Sequence, residues 1–512
     1  MSRLIVLSNR VKMPDNNPMA GGLAIALQDV FNGNSVIWMG WNGEVIDSNN
    51  GGDINEFSSC ERTFLTNTDK QGTNTTVTYM TTAFNNEQHQ QFYCGFANNV
   101  LWPLLHEQTD VISQAPEDYA VYQAVNLLFA KQLKKIIQPD DVIWVHDYHF
   151  LSVAYDCRQL GISNRIGFFL HIPFVPLPFW QQLDKSPELI NHLAYYDVFG
   201  TQTQQDKINC VAVFQHYLKD NFLNSLPSDT FYTKSDSGKA GTRLMLNLDS
   251  GIPHCLVINA YPIGVNVTKI QQHVMSLSSH LSSQSIKNIQ GENVTKSATQ
   301  QIIAVDRIDY SKGLLERFSG YGDFLQQYPI YQNQLKLLQI ACPSRLDLPV
   351  YQQLYERVKQ AVHNINQQFS PSEYRQDISN SEDFIENWQA ITYSETVLSQ
   401  EALMIAFWNS DVGWVNSLKD GMNLVAKEYI AAQNPNDPGV LLLSRYAGAA
   451  EQMQAALIID PHEPQSIIHG LHTALIMPLE ERQSRYQTLL QGLQQHDLHS
   501  WQQDFLNDLC LK

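Results

Sequence analysis

An α/β fold with parallel sheets is the architecture this sequence predicts, on three observations. Short apolar runs recur without alternation, helical patterns lie between many of them, and the polar motifs follow the runs. The runs fall at residues 4–7, 142–145, 166–170, 256–258, 302–305, 335–340 and 440–443. Apolar runs of this length are what strands covered on both faces require. They form two series, which predicts two Rossmann-like halves, and the break at Ala260-Tyr261-Pro262-Ile263-Gly264 separates them. A chain of 512 residues exceeds what one hydrophobic core serves. The expected domains are 1–262 and 263–480, with helices over 481–512 closing back on the first.

Composition narrows the partners. Apolar residues make up 43% of the chain, enough for two cores, and charged residues only 16%. A formal net charge of −18 repels phosphate backbones and anionic lipid surfaces, so neither nucleic acid nor a membrane is an expected partner. Any anionic ligand must be held by a few well-placed cations. The seven cysteines, Cys60, Cys94, Cys157, Cys210, Cys255, Cys342 and Cys510, are scattered and include no C-x-x-C pair, the pattern of reduced thiols in a cytoplasmic protein. The apolar stretch near the N-terminus is too short for a signal peptide and reads as a first strand. No run approaches the length that spans a bilayer.

Taken in chain order, the first strand ends in Arg10, and Met19-Ala20-Gly21-Gly22-Leu23 then forms a glycine turn leading into a helix. A glycine pair there lets backbone approach a ligand closely, although neither G-x-G-x-x-G nor the Walker pattern is present. Residues 47–90, rich in Asn, Thr and Gly, and 224–254, rich in Ser, Asp and Gly, read as surface elaborations without chemistry. Trp144-Val145-His146-Asp147-Tyr148-His149 and Phe169-Leu170-His171-Ile172-Pro173-Phe174 each end an apolar strand with His or Asp. Such side chains suit hydrogen bonding to sugar hydroxyls, and a satisfied structural imidazole would leave the same pattern. Residues 271–299 carry a helical rhythm and read as a helix and loop.

In the second half, Val305-Asp306-Arg307-Ile308-Asp309-Tyr310-Ser311-Lys312-Gly313 follows a strand and precedes a helix. Arg307 and Lys312 can converge at the strand's end and neutralise a diphosphate, Arg by bidentate contact and Lys as a point charge. A surface loop in which Arg307 pairs with Asp306 or Asp309 is the alternative. The stretch Asp420-Gly421-Met422-Asn423-Leu424-Val425-Ala426-Lys427-Glu428-Tyr429 follows the apolar run Asp411-Val412-Gly413-Trp414-Val415 and opens an amphipathic helix. Met422, Val425, Ala426, Tyr429 and Ile430 fall on one helical stripe, and Asp420 stands where an N-cap belongs. Strand, turn and helix N-terminus together make an anion site, with Glu428 placed to bond ribose hydroxyls. An ordinary capped helix with a surface glutamate has the same spacing.

No metal is expected. The chain contains no Asp-x-Asp pair to hold a divalent ion against a nucleotide diphosphate, and no cysteine or carboxylate set completes a zinc site around His146 and His149. The G-x-S-x-G elbow of acyl chemistry is also missing.

Together these motifs resemble the trehalose-6-phosphate synthases, retaining glucosyltransferases of the GT-B fold, over nearly the whole chain. The resemblance rests on Ser8-Asn9-Arg10, Gly21-Gly22-Leu23, Val100-Leu101-Trp102-Pro103, His146-Asp147-Tyr148-His149, His171-Ile172-Pro173-Phe174, the 307–313 motif and the 420–429 motif, all in order. It implies two Rossmann-like domains whose parallel sheets face each other across an interdomain cleft. It also implies a UDP-glucose donor, a glucose 6-phosphate acceptor, and α,α-trehalose 6-phosphate and UDP as products, with no cofactor or metal. By motif match, Arg307 and Lys312 bind the donor diphosphate and Gly21 and Gly22 approach it. Gly421, Met422, Asn423, Leu424, Val425, Ala426, Lys427 and Glu428 hold the uridine ribose and phosphates. Leu398 flanks the uracil, and Asp420 anchors glucose hydroxyls. Arg10, Tyr93 and Arg345 hold the acceptor phosphate, Trp102 and Asp147 contact its sugar, and Trp102 with Ile172 favours the α-anomer. His171 bonds the transferred glucose.

Two departures sit beside these residues. Asn416-Ser417-Leu418-Lys419 stands where the family often has Thr-Pro-x-Arg, and Gly200-Thr201-Gln202-Thr203 where Phe usually follows Gly. A related synthase with another acceptor, such as glucosylglycerol-phosphate synthase, or another nucleotide donor shares much of this pattern, as does a silent regulatory subunit. Arg10 with the glycine turn and the full set of charged positions favour the active trehalose branch. The resemblance further implies a homo-oligomer, often a tetramer, and a separate phosphatase acting on the product.

Overall fold

Strand β1 (Leu4–Arg10) begins with four apolar side chains, of which Ile5, Val6 and Leu7 are wholly inaccessible, so it needs neighbours on both sides and cover on both faces. Parallel partners lie on either side, with Leu4 opposite Val36 of β2 (Val36–Ile46) and opposite Val142 of β5 (Val142–His146). The computed structural model describes residues 3–11, 36–46, 59–68, 74–223, 232–234, 240–248, 253–281, 286–287, 293–294, 300–369 and 388–510. Within these, the chain divides into one unit of Met1–Ile263 with Leu498–Lys512 and another of Gly264–Asp497.

The first unit holds a ten-stranded sheet in the order β3-β4-β2-β1-β5-β6-β7-β10-β9-β8. Its further strands are β3 (Ser59–Thr68), β4 (Asn74–Asn85), β6 (Ile166–Phe169), β7 (Val198–Thr201), β8 (Tyr232–Lys234), β9 (Ala240–Asn247) and β10 (Pro253–Ala260). From β4 to β10 every pairing is parallel, while β3, β9 and β8 join antiparallel. Within 47–90 and 224–254, expected as surface elaborations, the described strands β3, β4, β8 and β9 extend the sheet toward its two edges. Their signal is alternation. In β9, Thr242, Leu244 and Leu246 are buried while Arg243 and Asn247 are exposed, the period of two of a half-covered edge.

A short pair, β11 (Ile286–Lys287) and β12 (Asn293–Val294), follows helix Val267–Leu281 in the second unit. The main sheet there is six-stranded and wholly parallel, in the order β15-β14-β13-β16-β17-β18. These strands are β13 (Gln300–Arg307), β14 (Leu335–Cys342), β15 (Ile391–Ser394), β16 (Val412–Val415), β17 (Val440–Ser444) and β18 (Leu457–Ile459). In this doubly wound order the chain turns outward in opposite directions from β13 and from β16, so the crevice between their carboxyl ends is the switch point where ligands bind. In the first unit, β1 and β5 stand in the same relation.

The closing segment differs from expectation. Helix Leu479–Gln495 stays in the second unit, and only helix Leu498–Cys510 belongs to the first. Phe505 of that last helix stacks on Trp144 with ring centres 4.8 Å apart and meets Phe169 and Tyr261 edge-on. Glycine permits the approach, because a Cβ at Gly167 or Gly200 would stand 2.8 or 2.9 Å from the Phe505 ring. This contact gives Gly200, part of one family departure, a packing role. The helix is pinned further by Arg165 donating to the Leu509 carbonyl and Tyr261 to Asp508. Among the described residues no helix is long and apolar enough to cross a membrane. Cys94, Cys157, Cys210, Cys255, Cys342 and Cys510 are free thiols.

Phe505 has no solvent exposure, so Phe505→Ala leaves a cavity between helix and sheet. We expect a loss of about 3–5 kcal/mol, measured as a lower urea midpoint followed by tryptophan fluorescence. An unchanged midpoint would show that the last helix does not hold the first unit together.

Candidate functional site

In the first unit the polar residues gather at the carboxyl ends of β1, β5 and β6. His146 closes β5 opposite Phe169, and the Asp147 amide bonds the Phe169 carbonyl at 2.9 Å. The Asp147 carboxylate then accepts the His171 amide at 3.2 Å. Its backbone lies at φ 74° and ψ 167°, a region nearly confined to glycine and costing a non-glycine residue about 1–3 kcal/mol. Contacts on both sides hold it there, so the turn that carries Asp147 is preset. His146 Nδ1 and His171 Nε2 stand 3.0 Å apart. Burial pulls the His171 imidazole down to about 3, and burial followed by the neighbouring His171 charge pulls His146 well below its ordinary value. Both rings are therefore neutral at working pH, one donating to the other, and His146 serves to fix the orientation of His171.

Arg10, the exposed last residue of β1, lays its guanidinium 5.5 Å from the Trp41 ring centre. It also lies over Gly43, where a Cβ would come within 2.5 Å of its nitrogen and where φ is +90°. Trp41 in turn meets Tyr93 at 5.2 Å, and Tyr93 stacks on His149 at 6.1 Å with the planes 10° apart. Tyr93 itself sits on the π-helix Gln88–Leu101. Arg10 and Tyr93 are thus joined through Trp41, a residue not singled out from the sequence, which lies in β2 where the register with β4 shifts between Trp41 and Val45. Trp102, 4% exposed, packs on Tyr148 at 5.6 Å, and Ile172 is 6% exposed. Gly21 and Gly22 lie outside the described residues.

In the second unit the two expected motifs form one hydrogen-bonded body across the switch point. Lys312 bonds the Asp420 carboxylate at 2.5 Å, and Ser417 and Asn423 donate to the same oxygen at 3.1 and 3.2 Å. Asn416 donates to the Gly313 carbonyl, and the Leu418 amide to that of Ser311, both at 2.8 Å. Gly313 must be glycine, with φ +62° and an Asn416 oxygen 2.3 Å from where its Cβ would stand. The departure at Asn416 and Ser417 is therefore part of the scaffold that binds the two motifs together.

The helix begins later than expected. It spans Leu424–Ala431, and its N-cap is Asn423, whose side chain accepts the Ala426 amide at 3.2 Å from a left-handed backbone. Asp420 cannot cap because Gly421 and Met422 are still in the turn, and the Ala426 amide is not open to a ligand. Lys427 faces inward with no exposure, donating to Gln452 at 2.8 Å, and burial lowers its ammonium to about 7. Its side chain is thus packed inside the second unit. Val425 is half-buried, so the apolar stripe is Met422, Ala426, Tyr429 and Ile430. Glu428 is also half-buried, and burial pushes its carboxyl upward, to about 7. Near neutral pH such a carboxyl both accepts and donates hydrogen bonds to hydroxyls. Leu398, half-buried, lies in the segment between β15 and helix Gln400–Trp408.

Arg307 is exposed at the end of β13. The two neighbouring carboxylates are engaged by other cations. Asp306 pairs at 2.5 Å with Arg317 of helix Leu314–Gln327, and Asp309 pairs at 3.0 Å with Arg345. Arg317 has no exposure, donates also to Gln339 at 2.8 Å and the Trp414 carbonyl at 3.3 Å, and lies 5.6 Å from the Trp414 ring centre. Its signal in the sequence is an arginine on the buried stripe of Leu314, Phe318 and Tyr321.

Comparison with known proteins shows the family and the fold. The sequence model of Glycosyltransferase family 20 matches residues 6–510. A trehalose-6-phosphate synthase of Sodalis glossinidius is 34% identical over 510 residues, 99% of this chain and 96% of that protein. A Burkholderia xenovorans alpha,alpha-trehalose-phosphate synthase (UDP-forming), solved in complex with glucose-6-phosphate, superposes with a TM-score of 0.81 at 31% identity, covering 99% of this chain and all of the other. An E. coli structure solved with UDP-2-fluoro glucose gives 0.79 at 31% identity and 99% coverage of both chains. With a family match spanning almost its entire length and a GT-B fold to go with it, the chain belongs to glycosyltransferase family 20.

Proposed function

We propose that this chain is a retaining glucosyltransferase that moves glucose from UDP-glucose to the anomeric hydroxyl of glucose 6-phosphate, releasing UDP and α,α-trehalose 6-phosphate. The observation that carries this reading is the bonded pair of motifs at the second switch point, where Lys312 and Asp420 stand together beside the strand end bearing Arg307. In our reading Arg307 and Lys312 neutralise the departing diphosphate, with Gly22 approaching it. Asp420 holds glucose hydroxyls, Glu428 the ribose, and Leu398 the uracil. On the acceptor, Arg10, Tyr93 and Arg345 take the phosphate, Asp147 and Trp102 the sugar, and Trp102 with Ile172 shapes the anomeric preference.

His171 is neutral and too weak a base, near 3, to take a proton from an alcohol. It therefore orients the transferred glucose by hydrogen bonding. The acceptor oxygen attacks from the face the diphosphate leaves, the bond from the anomeric carbon to the diphosphate breaks, and the acceptor's proton passes to the departing phosphate oxygen. Positioning of the two substrates and fixed positive charge supply the rate. The product keeps the acceptor's phosphate, so its removal falls to a separate phosphatase.

Purified protein given UDP-glucose and glucose 6-phosphate without added metal is expected to release UDP in a coupled assay; no release with any nucleotide-glucose donor would overturn the reading. Arg307→Ala is expected to lower kcat/KM at least about tenfold, since a charged contact is worth roughly 1.5–3 kcal/mol; near-normal kinetics would remove Arg307 from the site. A pH effect on stability also follows. The folded protein keeps His146 and His171 neutral, whereas an unfolded chain protonates them near the ordinary 6.5. Their contribution is complete above that value and declines as pH falls toward 3. The unfolding midpoint should drop between about pH 6.5 and 5, and less steeply in His171→Gln; equal slopes would show that this pair is not the source.

A further inference from the structure

Arg345 stands just beyond β14 in a backbone conformation with φ 51°, which a residue with a side chain adopts only when its surroundings hold it there. Those surroundings form a closed ring of polar atoms. Arg345 Nη1 donates to Asp309 Oδ2 at 3.0 Å and to the Tyr351 hydroxyl at 2.6 Å, and that hydroxyl donates to the same Asp309 oxygen at 3.1 Å. The guanidinium carbon lies 5.4 Å from the Tyr351 ring centre. Neither Asp309 nor Tyr351 has any solvent exposure. The other carboxylate oxygen, Asp309 Oδ1, accepts the Ser311 amide at 3.0 Å, inside the turn Tyr310–Lys312 that presents Lys312. One buried carboxylate thus serves two cations, holding the first directly and the second through the turn that carries it.

A buried carboxylate is tolerated only where donors satisfy it. The Tyr351 hydroxyl supplies one, and by sharing Oδ2 it keeps the ion pair from being a lone, pivoting contact. Burial pushes the Tyr351 phenol above its ordinary range, so it remains a donor at working pH. A guanidinium has five N–H groups in a fixed plane, so anchoring Nη1 at two points sets the direction of the rest.

We propose that Tyr351 and Asp309 are positioning residues: Tyr351 sets Arg345 for the acceptor's phosphate, and Asp309 links that cation to the turn bearing Lys312. This inference rests on the reading that Arg345 binds the acceptor. Tyr351→Phe keeps the ring and removes only the hydroxyl. It should raise the KM for glucose 6-phosphate about tenfold, while kcat and the KM for UDP-glucose stay within about twofold. Asp309→Asn should raise both KM values. Adding Tyr351→Phe to Arg345→Lys should change the acceptor KM by less than the single substitution does, because the two act through one contact. A wild-type acceptor KM in Tyr351→Phe, or equal losses on donor and acceptor, overturns the proposal. Should Tyr351→Phe fail to yield folded protein, Asp309→Asn decides it, and an unchanged acceptor KM there overturns it equally. Arg345→Ala separates the two claims, since an unaltered acceptor KM in that variant defeats the assignment of Arg345 itself.

Discussion

The buried Arg317 guanidinium governs the geometry of the second unit's switch point. Strands β13 and β16 are neighbours, yet their ladder pairs only Ile302 with Val412 and Ile303 with Gly413. Beyond those rungs Arg317 takes over, bonding Asp306 on one strand, the Trp414 carbonyl on the other and Gln339 on the strand beyond. An arginine in that place bonds both strands, and the one beyond, where the β13–β16 ladder has stopped. The device depends on all its partners, because removing one side of a buried ion pair costs about 3–5 kcal/mol. Asp306 immediately precedes Arg307, so the same pair fixes the strand end from which Arg307 emerges.

The same logic operates in the first unit with different chemistry. There the loops leaving β1, β5 and β6 are held by the strained Asp147 backbone, the neutral pair His146 and His171, and the aromatic path from Arg10 through Trp41 and Tyr93 to His149. Strain and desolvation are both unfavourable locally, and each is offset by packing that extends well beyond the site, as with the last helix against Trp144 and Phe169. The C-terminal residues therefore support loops whose strands lie hundreds of positions earlier.

Charge is used sparingly throughout. In a chain of net charge −18, the cations described around the second unit's switch point include Lys312 paired with Asp420, Arg345 with Asp309 and Arg317 with Asp306. Pairing keeps long side chains ordered without ligand, so less freedom is lost when an anion arrives. In the proposed reading, an incoming phosphate meets Lys312 or Arg345 already held in place, so a protein this acidic can bind anionic sugars with few cations.

What the sequence determined by itself was the inventory and its order: unalternating apolar runs that must be parallel strands, and cations and carboxylates set just past their ends. Arg307, Lys312 and Asp420 were legible because the chemistry of a strand followed by a turn is local. Other features could be settled only by the fold. Asn423 rather than Asp420 caps the helix because backbone direction, not spacing, decides where a helix starts. Lys427 lies inside because a neighbouring turn supplies Gln452, far along the chain. Tyr351, Arg317, His146 and Trp41 have partners far along the chain: Asp309, the Trp414 carbonyl, His171 and Arg10. Burial and long-range hydrogen bonding depend on which elements become neighbours in space, and a linear pattern carries only the period of each element, not the identity of what packs against it.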